Sequence, residues 1–147
     1  MKIYYAMSIS GSQSKDSGKI NNQIIEHLKT HGEVLTEHFA NPNYKIVGES
    51  DITDKQIHDR DMNWLLTADF IVAEVSNASL GVGYEIGRAI ENKKKILCLG
   101  KKSKRRLSAM IKGSDSLTFK EYKSINDAKN YINEFIKNFL TEPQYYF

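Results

Sequence analysis

Apolar residues along the chain fall into short solid runs separated by stretches with helical spacing. Lys2 to Met7, Phe70 to Val75 and Lys95 to Gly100 are runs too short for helices and rich in β-branched or aromatic residues, so each predicts a strand. Val34 to Phe39 reads as a further strand and Ser116 to Tyr122 as an edge strand. Between them, Ile20, Ile24, Ile25 and Leu28 share one helical face, with Gly32 closing the helix. A helix from about Asp54 to Ala68, capped by Thr53 or Asp51, carries Ile57, Trp64, Leu65 and Ala68 on its apolar face. Ile86, Ala89 and Ile90 begin another helix, and Ile125, Ala128, Ile132, Phe135, Ile136 and Phe139 mark a strong final one. Ala40 to Ser50, with Asn41-Pro42-Asn43 and Gly48, reads as a loop. Alternating strands and helices predict a single α/β domain over residues 1–140. Its mostly parallel five-stranded sheet carries helices on both faces, Rossmann-like or flavodoxin-like, with a tail at 141–147.

The most informative stretch runs from Ser76 to Ala89, where a strand passes through a Gly-rich turn into a helix. Such a turn lies at the carboxyl edge of an open sheet, where backbone N–H groups and the positive end of the helix dipole receive anions. Ser79 adds a hydroxyl, and Glu85 is expected in the first helical turn. No Gly-x-Gly-x-x-Gly opens the helix and no Gly-Lys-Ser/Thr follows, so neither the dinucleotide fingerprint nor a P-loop is present. A second small-residue turn, Ser8-Ile9-Ser10-Gly11-Ser12, follows the first strand, with Tyr4 beneath it. Asp61 falls on the apolar face of its helix. Burying that charge is expensive, so Asp61 is either a cleft carboxylate with a raised pKa or a cap or ion-pair partner of Arg60 or another base. Two carboxylates facing one pocket equip a site to break a glycosidic bond, and turns suited to phosphate beside them suggest a sugar phosphate.

Composition narrows the class. A net charge of +3 over 147 residues is far from the basic excess of a dedicated nucleic-acid binder. The basic run Lys101 to Arg106 reads as a solvated loop that could also draw phosphate. The single cysteine, Cys98, lies in an apolar run, which excludes a disulfide framework or thiolate metal site and favours a reducing, cytoplasmic setting. No apolar run approaches membrane-spanning length, so neither signal peptide nor anchor is expected. His27, His31, His38 and His58 are not spaced as a compact metal set, and neither metal nor cofactor is expected. There is no Gly-x-Ser-x-Gly elbow for acyl transfer.

Taken in order, Tyr4 to Gly11, Val34 to His38, Ile57 through Asp61 to Leu65, Val72 to Val75, Ser79 to Ala89 and Leu107 to Ile111 resemble the 2′-deoxynucleoside 5′-phosphate N-hydrolases. These belong to the wider nucleoside 2-deoxyribosyltransferase superfamily. The resemblance covers about residues 2–113. It implies hydrolysis of the bond between base and sugar in a deoxynucleoside monophosphate, releasing free base and deoxyribose 5-phosphate. By position, Glu85 resembles the family's nucleophile, Asp61 the acid that assists departure of the base, and Tyr4 the hydroxyl that orients them. Ser8, Ser79, Gly81 and Ser108 match phosphate-binding positions, and Ser10 and Gly11 of the first turn are expected among the substrate-binding residues. Ser108 is implied to come from the neighbouring subunit of a homodimer, and Ile9, Ile57 and Met110 to form a slot for the base. The family's Gly-Ser-Ile-Arg-Gly is here Met7-Ser8-Ile9-Ser10-Gly11, which removes a charge-assisted phosphate contact. Two other readings remain open: a transferase passing the sugar between bases, and a nucleotide-binding module without catalysis. The substrate expected is a small nucleotide, with no nucleic-acid polymer and no membrane as partner.

Overall fold

The structure is a computed structural model and describes residues 1–9, 15–40 and 51–143. Five strands, β1 (Lys2–Ala6), β2 (Glu33–Val34), β3 (Phe70–Glu74), β4 (Lys95–Lys101) and β5 (Thr118–Tyr122), form one sheet in the order β2-β1-β3-β4-β5. Every pairing is parallel, with Tyr4 opposite Ile71 and Val72 opposite Leu97. The helices are α1 (Lys15–Lys29), α2 (Asp54–Thr67), α3 (Leu80–Glu91), a single turn α4 (Ala109–Lys112) and α5 (Ile125–Thr141). The chain moves outward from β1 to β2 and then returns to β3 on β1's other side. The crevice beyond the carboxyl ends of β1 and β3 is therefore the topological switch point, where open α/β sheets bind ligands.

Two apolar layers sandwich the sheet. Ile3, Tyr5, Phe70, Val72, Leu97 and Leu99 pack against Ile24, Ile25 and Leu28 of α1 and Ala128, Ile132 and Ile136 of α5. Tyr4, Ala6, Ile71, Ala73, Ile96 and Cys98 pack on the other side against Met62 and Leu65 of α2 and Val82, Ile86 and Ala89 of α3. Strand alternation thus sends the adjacent Tyr4 and Tyr5 to opposite layers. Tyr5 donates its hydroxyl to Asn21 Oδ1 at 2.6 Å, so both buried groups are satisfied.

Three local expectations change. The strand expected over Val34 to Phe39 stops at Val34, and Glu37–Ala40 form a 3-10 turn. The cause is Thr36, fully buried, whose hydroxyl accepts from Tyr5 N at 3.0 Å and donates to Tyr5 O at 2.8 Å. One side chain there continues the ladder that backbone would otherwise supply. The helix after β3 begins at Leu80, so Gly81 and Gly83 lie inside α3 and not in the turn, and Glu85 stands in its second turn. Ser79 caps it by accepting from Val82 N at 3.3 Å. In α2 the buried residues are Met62 and Leu65, while Ile57 and Trp64 are half-buried. Thr53 provides its cap as a reciprocal box with Gln56. Gly32 lies three residues past α1, where an added Cβ would fall 2.3 Å from Met1 O. Its role is that close approach. The loop expected from Ala40 to Ser50, apart from the backbone of Ala40, and the end of the expected tail lie outside the described residues. Among the described residues no helix is long and apolar enough to cross a membrane.

Candidate active site

β1 and the two helices that start at the carboxyl edge, α2 and α3, meet around one buried hydrogen bond. Tyr4 is fully buried and donates its hydroxyl to Glu85 Oε1 at 2.7 Å. Burial raises the Glu85 carboxyl from 4.5 to about 7; the Tyr4 hydrogen bond pulls it down, and the charge of Asp61 pushes it up again. Tyr4 itself is shifted far upward by burial first and by Glu85 second, so it remains a proton donor. A carboxyl poised near neutrality and aimed by a phenol is equipped for nucleophilic or proton-transfer work.

Asp61 joins this group from α2. Its Oδ1 receives Arg60 Nε at 2.9 Å and lies 2.8 Å from a terminal guanidinium nitrogen, and Arg60 also stacks over Trp64 at 4.7 Å from the ring centroid. The structure gives Asp61 an ion pair with Arg60 and sets it close enough for its charge to act on Glu85, so the two readings open in the sequence are not exclusive. Beside them His58 Nε2 lies 2.9 Å from the Tyr84 hydroxyl, bridging α2 and α3, and His58 Nδ1 lies 3.0 Å from Asp59 Oδ1.

A second group of expected residues gathers elsewhere. Ser79, Ser108 and Met110 line a cavity of about 440 Å³ whose walls also include Asn77, Gly83, Leu107 and Ile111. Val82 and Ile86 of α3 also line this cavity, while Tyr4, Asp61 and Glu85 do not. Ser8 is buried and Ile9 exposed at the end of β1, Ile57 half-buried on α2, and Gly81 exposed on α3. Ser10 and Gly11 lie outside the described residues. Helix geometry leaves the N–H groups of Leu80 and Gly81 pointing out of the first turn, and Ser79 retains a hydroxyl proton while it caps. Among the described residues no cluster of three His, Cys, Asp or Glu side chains could hold a metal ion.

Arg60 entered the sequence reading only as a partner for Asp61, and Glu74 only as a strand residue. A charged residue inside an otherwise apolar strand run was the available signal for the second.

The fold is a doubly wound parallel α/β domain with a buried tyrosine bonded to a half-buried glutamate at its switch point. The chain belongs to the nucleoside 2-deoxyribosyltransferase family, whose model matches residues 3–134. It is 41% identical over 143 residues to 5-hydroxymethyl-dUMP N-hydrolase of Danio rerio, covering 97% of this chain and 94% of that one. The protein of the same name from Tetraodon nigroviridis is 46% identical over 119 residues, covering 79% and 82% respectively. Among solved structures, the solution structure of BlsM superposes with a TM-score of 0.76 at 22% identity, covering 99% of this chain and 96% of that one.

Proposed function

We propose that the chain hydrolyses the N-glycosidic bond of 2′-deoxynucleoside 5′-monophosphates. The observation that carries this is the Tyr4–Glu85 hydrogen bond, buried beside Asp61 in a family with relatives named for this chemistry. In the reaction, a Glu85 carboxylate oxygen attacks the anomeric carbon as the carbon–nitrogen bond breaks, and its electron pair leaves with the base, which takes up a proton from Asp61. Water then adds to the anomeric carbon, returns a proton to Asp61 and releases Glu85 as carboxylate, leaving 2-deoxyribose 5-phosphate. A covalent route of this kind needs carboxyl groups about 5 Å apart. Tyr4 orients the nucleophile. Asp61, held by Arg60, accepts from the sugar and assists departure of the base.

Phosphate is received by Ser8, Ser10, Gly11, Ser79 and Gly81, and by Ser108 of a second copy. That Ser108 and Met110 line a cavity without their own Tyr4, Asp61 or Glu85 supports a homodimer in which each chain completes the other's site. The exposure of Met110 (83%) and Leu80 (95%) supports the same reading. Ile9, Ile57 and the second copy's Met110 form the slot for the base. The buried free thiol of Cys98 fits a reducing, cytoplasmic compartment.

The test measures free-base release from the four deoxynucleoside monophosphates and the matching nucleosides, each with and without an acceptor base. Release from monophosphates that ignores the acceptor is expected. A new nucleoside formed from unphosphorylated donors would assign the transferase activity in the family's description instead. Mixing Glu85→Gln with Ser108→Ala chains checks the shared site, because a mixed dimer retains one site with both residues intact and regains turnover.

A further inference from the structure

On the far side of the sheet from Tyr4 and Glu85 lies a second buried carboxyl that the proposed reaction does not use. Glu74, at the carboxyl end of β3, is only 6% exposed. Its Oε1 accepts the Tyr122 hydroxyl from β5 at 2.9 Å and also the Ser76 hydroxyl, while Oε2 accepts Ser76 N at 3.3 Å. Ser76 Oγ in turn accepts Lys101 N from the end of β4 at 2.7 Å. The connection from β3 to α3 is therefore fastened to β5 through the Glu74 carboxylate and to β4 through Ser76. The far end of that connection is Ser79, the cap of α3, and Val75, Asn77, Ala78 and Ser79 form one wall of the 440 Å³ cavity.

We infer that Glu74 is a positioning residue: its carboxylate sets the Val75–Ser79 segment, and through it the wall that receives the substrate's phosphate. This rests on the reading of the site given above. All three groups on the carboxylate are donors, and the ionised side chain, which only accepts, matches every one of them. A proton on Oε2, or an amide nitrogen in its place, leaves Oε1 to the two hydroxyls but sets a donor against Ser76 N and frees the backbone at the start of the segment. Burial raises the Glu74 carboxyl above the ordinary range, against the pull of Ser76, Tyr122 and Lys101. The other titratable groups around it are Tyr5 from β1 and Asp16 from α1, the latter lining a cavity of about 200 Å³ with Glu74 and Lys101. Tyr4 and Glu85 are held by other contacts, so the effect falls on binding and not on the chemical step.

The test compares the full chain with its Glu74→Gln variant in two measurements. Without substrate, the amide resonances of Ser76 and Lys101 are followed by NMR across the acidic range. They are expected to move together with one midpoint in the native chain and to lose that movement in the variant; independent or absent movement overturns the inference. In turnover, the variant raises KM for the nucleotide about five- to tenfold, the scale of one lost charge-assisted hydrogen bond, with kcat within about twofold. A lower melting temperature with KM unchanged would assign Glu74 a structural role only and overturn it. Tyr122→Phe, which keeps the charge and removes one donor, is expected to act in the same direction with smaller size, and it serves if the glutamine variant does not fold. Should no nucleotide be turned over, the proposed function fails while the NMR comparison still decides the role of Glu74.

Discussion

The Tyr4 hydroxyl lies 2.7 Å from Glu85 Oε1, joining residues 81 positions apart in sequence across the interface between β1 and α3. A strand supplies the fixed donor and a helix the carboxyl, so their relative position is set by the packing of α3 on the sheet. The consequences for pH and stability follow from this one contact.

Glu85→Gln is expected to lower kcat/KM by at least about a thousandfold, since the amide cannot form the glycosyl ester. The same variant should be more stable than the native chain at alkaline pH. Glu85 titrates near 7 in the folded chain against 4.5 ordinarily, so the folded state holds the extra proton between those values. Native stability therefore falls as pH rises from about 4.5 through about 7, by about 3 kcal/mol at 1.36 kcal/mol per pKa unit. Melting curves at acid and alkaline pH check this: the gain should be present at pH 8 and absent at pH 4.

Tyr4→Phe removes the hydrogen bond that favours the ionised carboxyl. Glu85 then titrates above 7, and the acid limb of the kcat/KM profile moves to higher pH by about one unit, a tenfold loss on that limb. An acid limb that stays in place would separate Tyr4 from control of Glu85.

Thr36→Val exchanges a hydroxyl for a methyl group of similar volume and strands both the N–H and the carbonyl of Tyr5. Two buried backbone groups left unpaired should cost about 2–4 kcal/mol. Chemical denaturation measures it, and a cost below about 1 kcal/mol would mean that water reaches the edge of β1.

Lys93, at the end of α3, has φ of 55°, the left-handed region that disfavours a side chain. Lys93→Gly should therefore stabilise the chain by about 1 kcal/mol without affecting turnover. A lower melting temperature would show that the lysine side chain compensates its backbone conformation.

The parallel sheet and the amphipathic helices were legible because each rests on the spacing of apolar residues. Of the candidate site residues, Asp61 stood out as a carboxylate on an apolar helix face, and Tyr4 and Glu85 stood beside the two small-residue turns; the hydrogen bond between Tyr4 and Glu85 is what the structure adds. What escaped was set by side chains meeting across distance. The glycines at 81 and 83 argued for a turn reaching Gly83, yet the Ser79 cap and the burial of Val82, Ile86 and Ala89 outweigh their low propensity. The short β2 depends on Thr36 finding Tyr5, and no periodicity records that. The ion pair of Asp61 with Arg60 was one of two readings open in the sequence, and helical spacing alone does not record it.

The neighbouring tyrosines of β1 have a consequence for how the chain finds its register. Tyr4 must reach Glu85 on one layer and Tyr5 must reach Asn21 on the other. A slip of β1 by a single residue against β3 would exchange the two layers and leave both phenols buried without acceptors. Misregistered chains are thus penalised twice by the residues that build the site, so a chain that completes its sheet has already assembled the Tyr4–Glu85 pair.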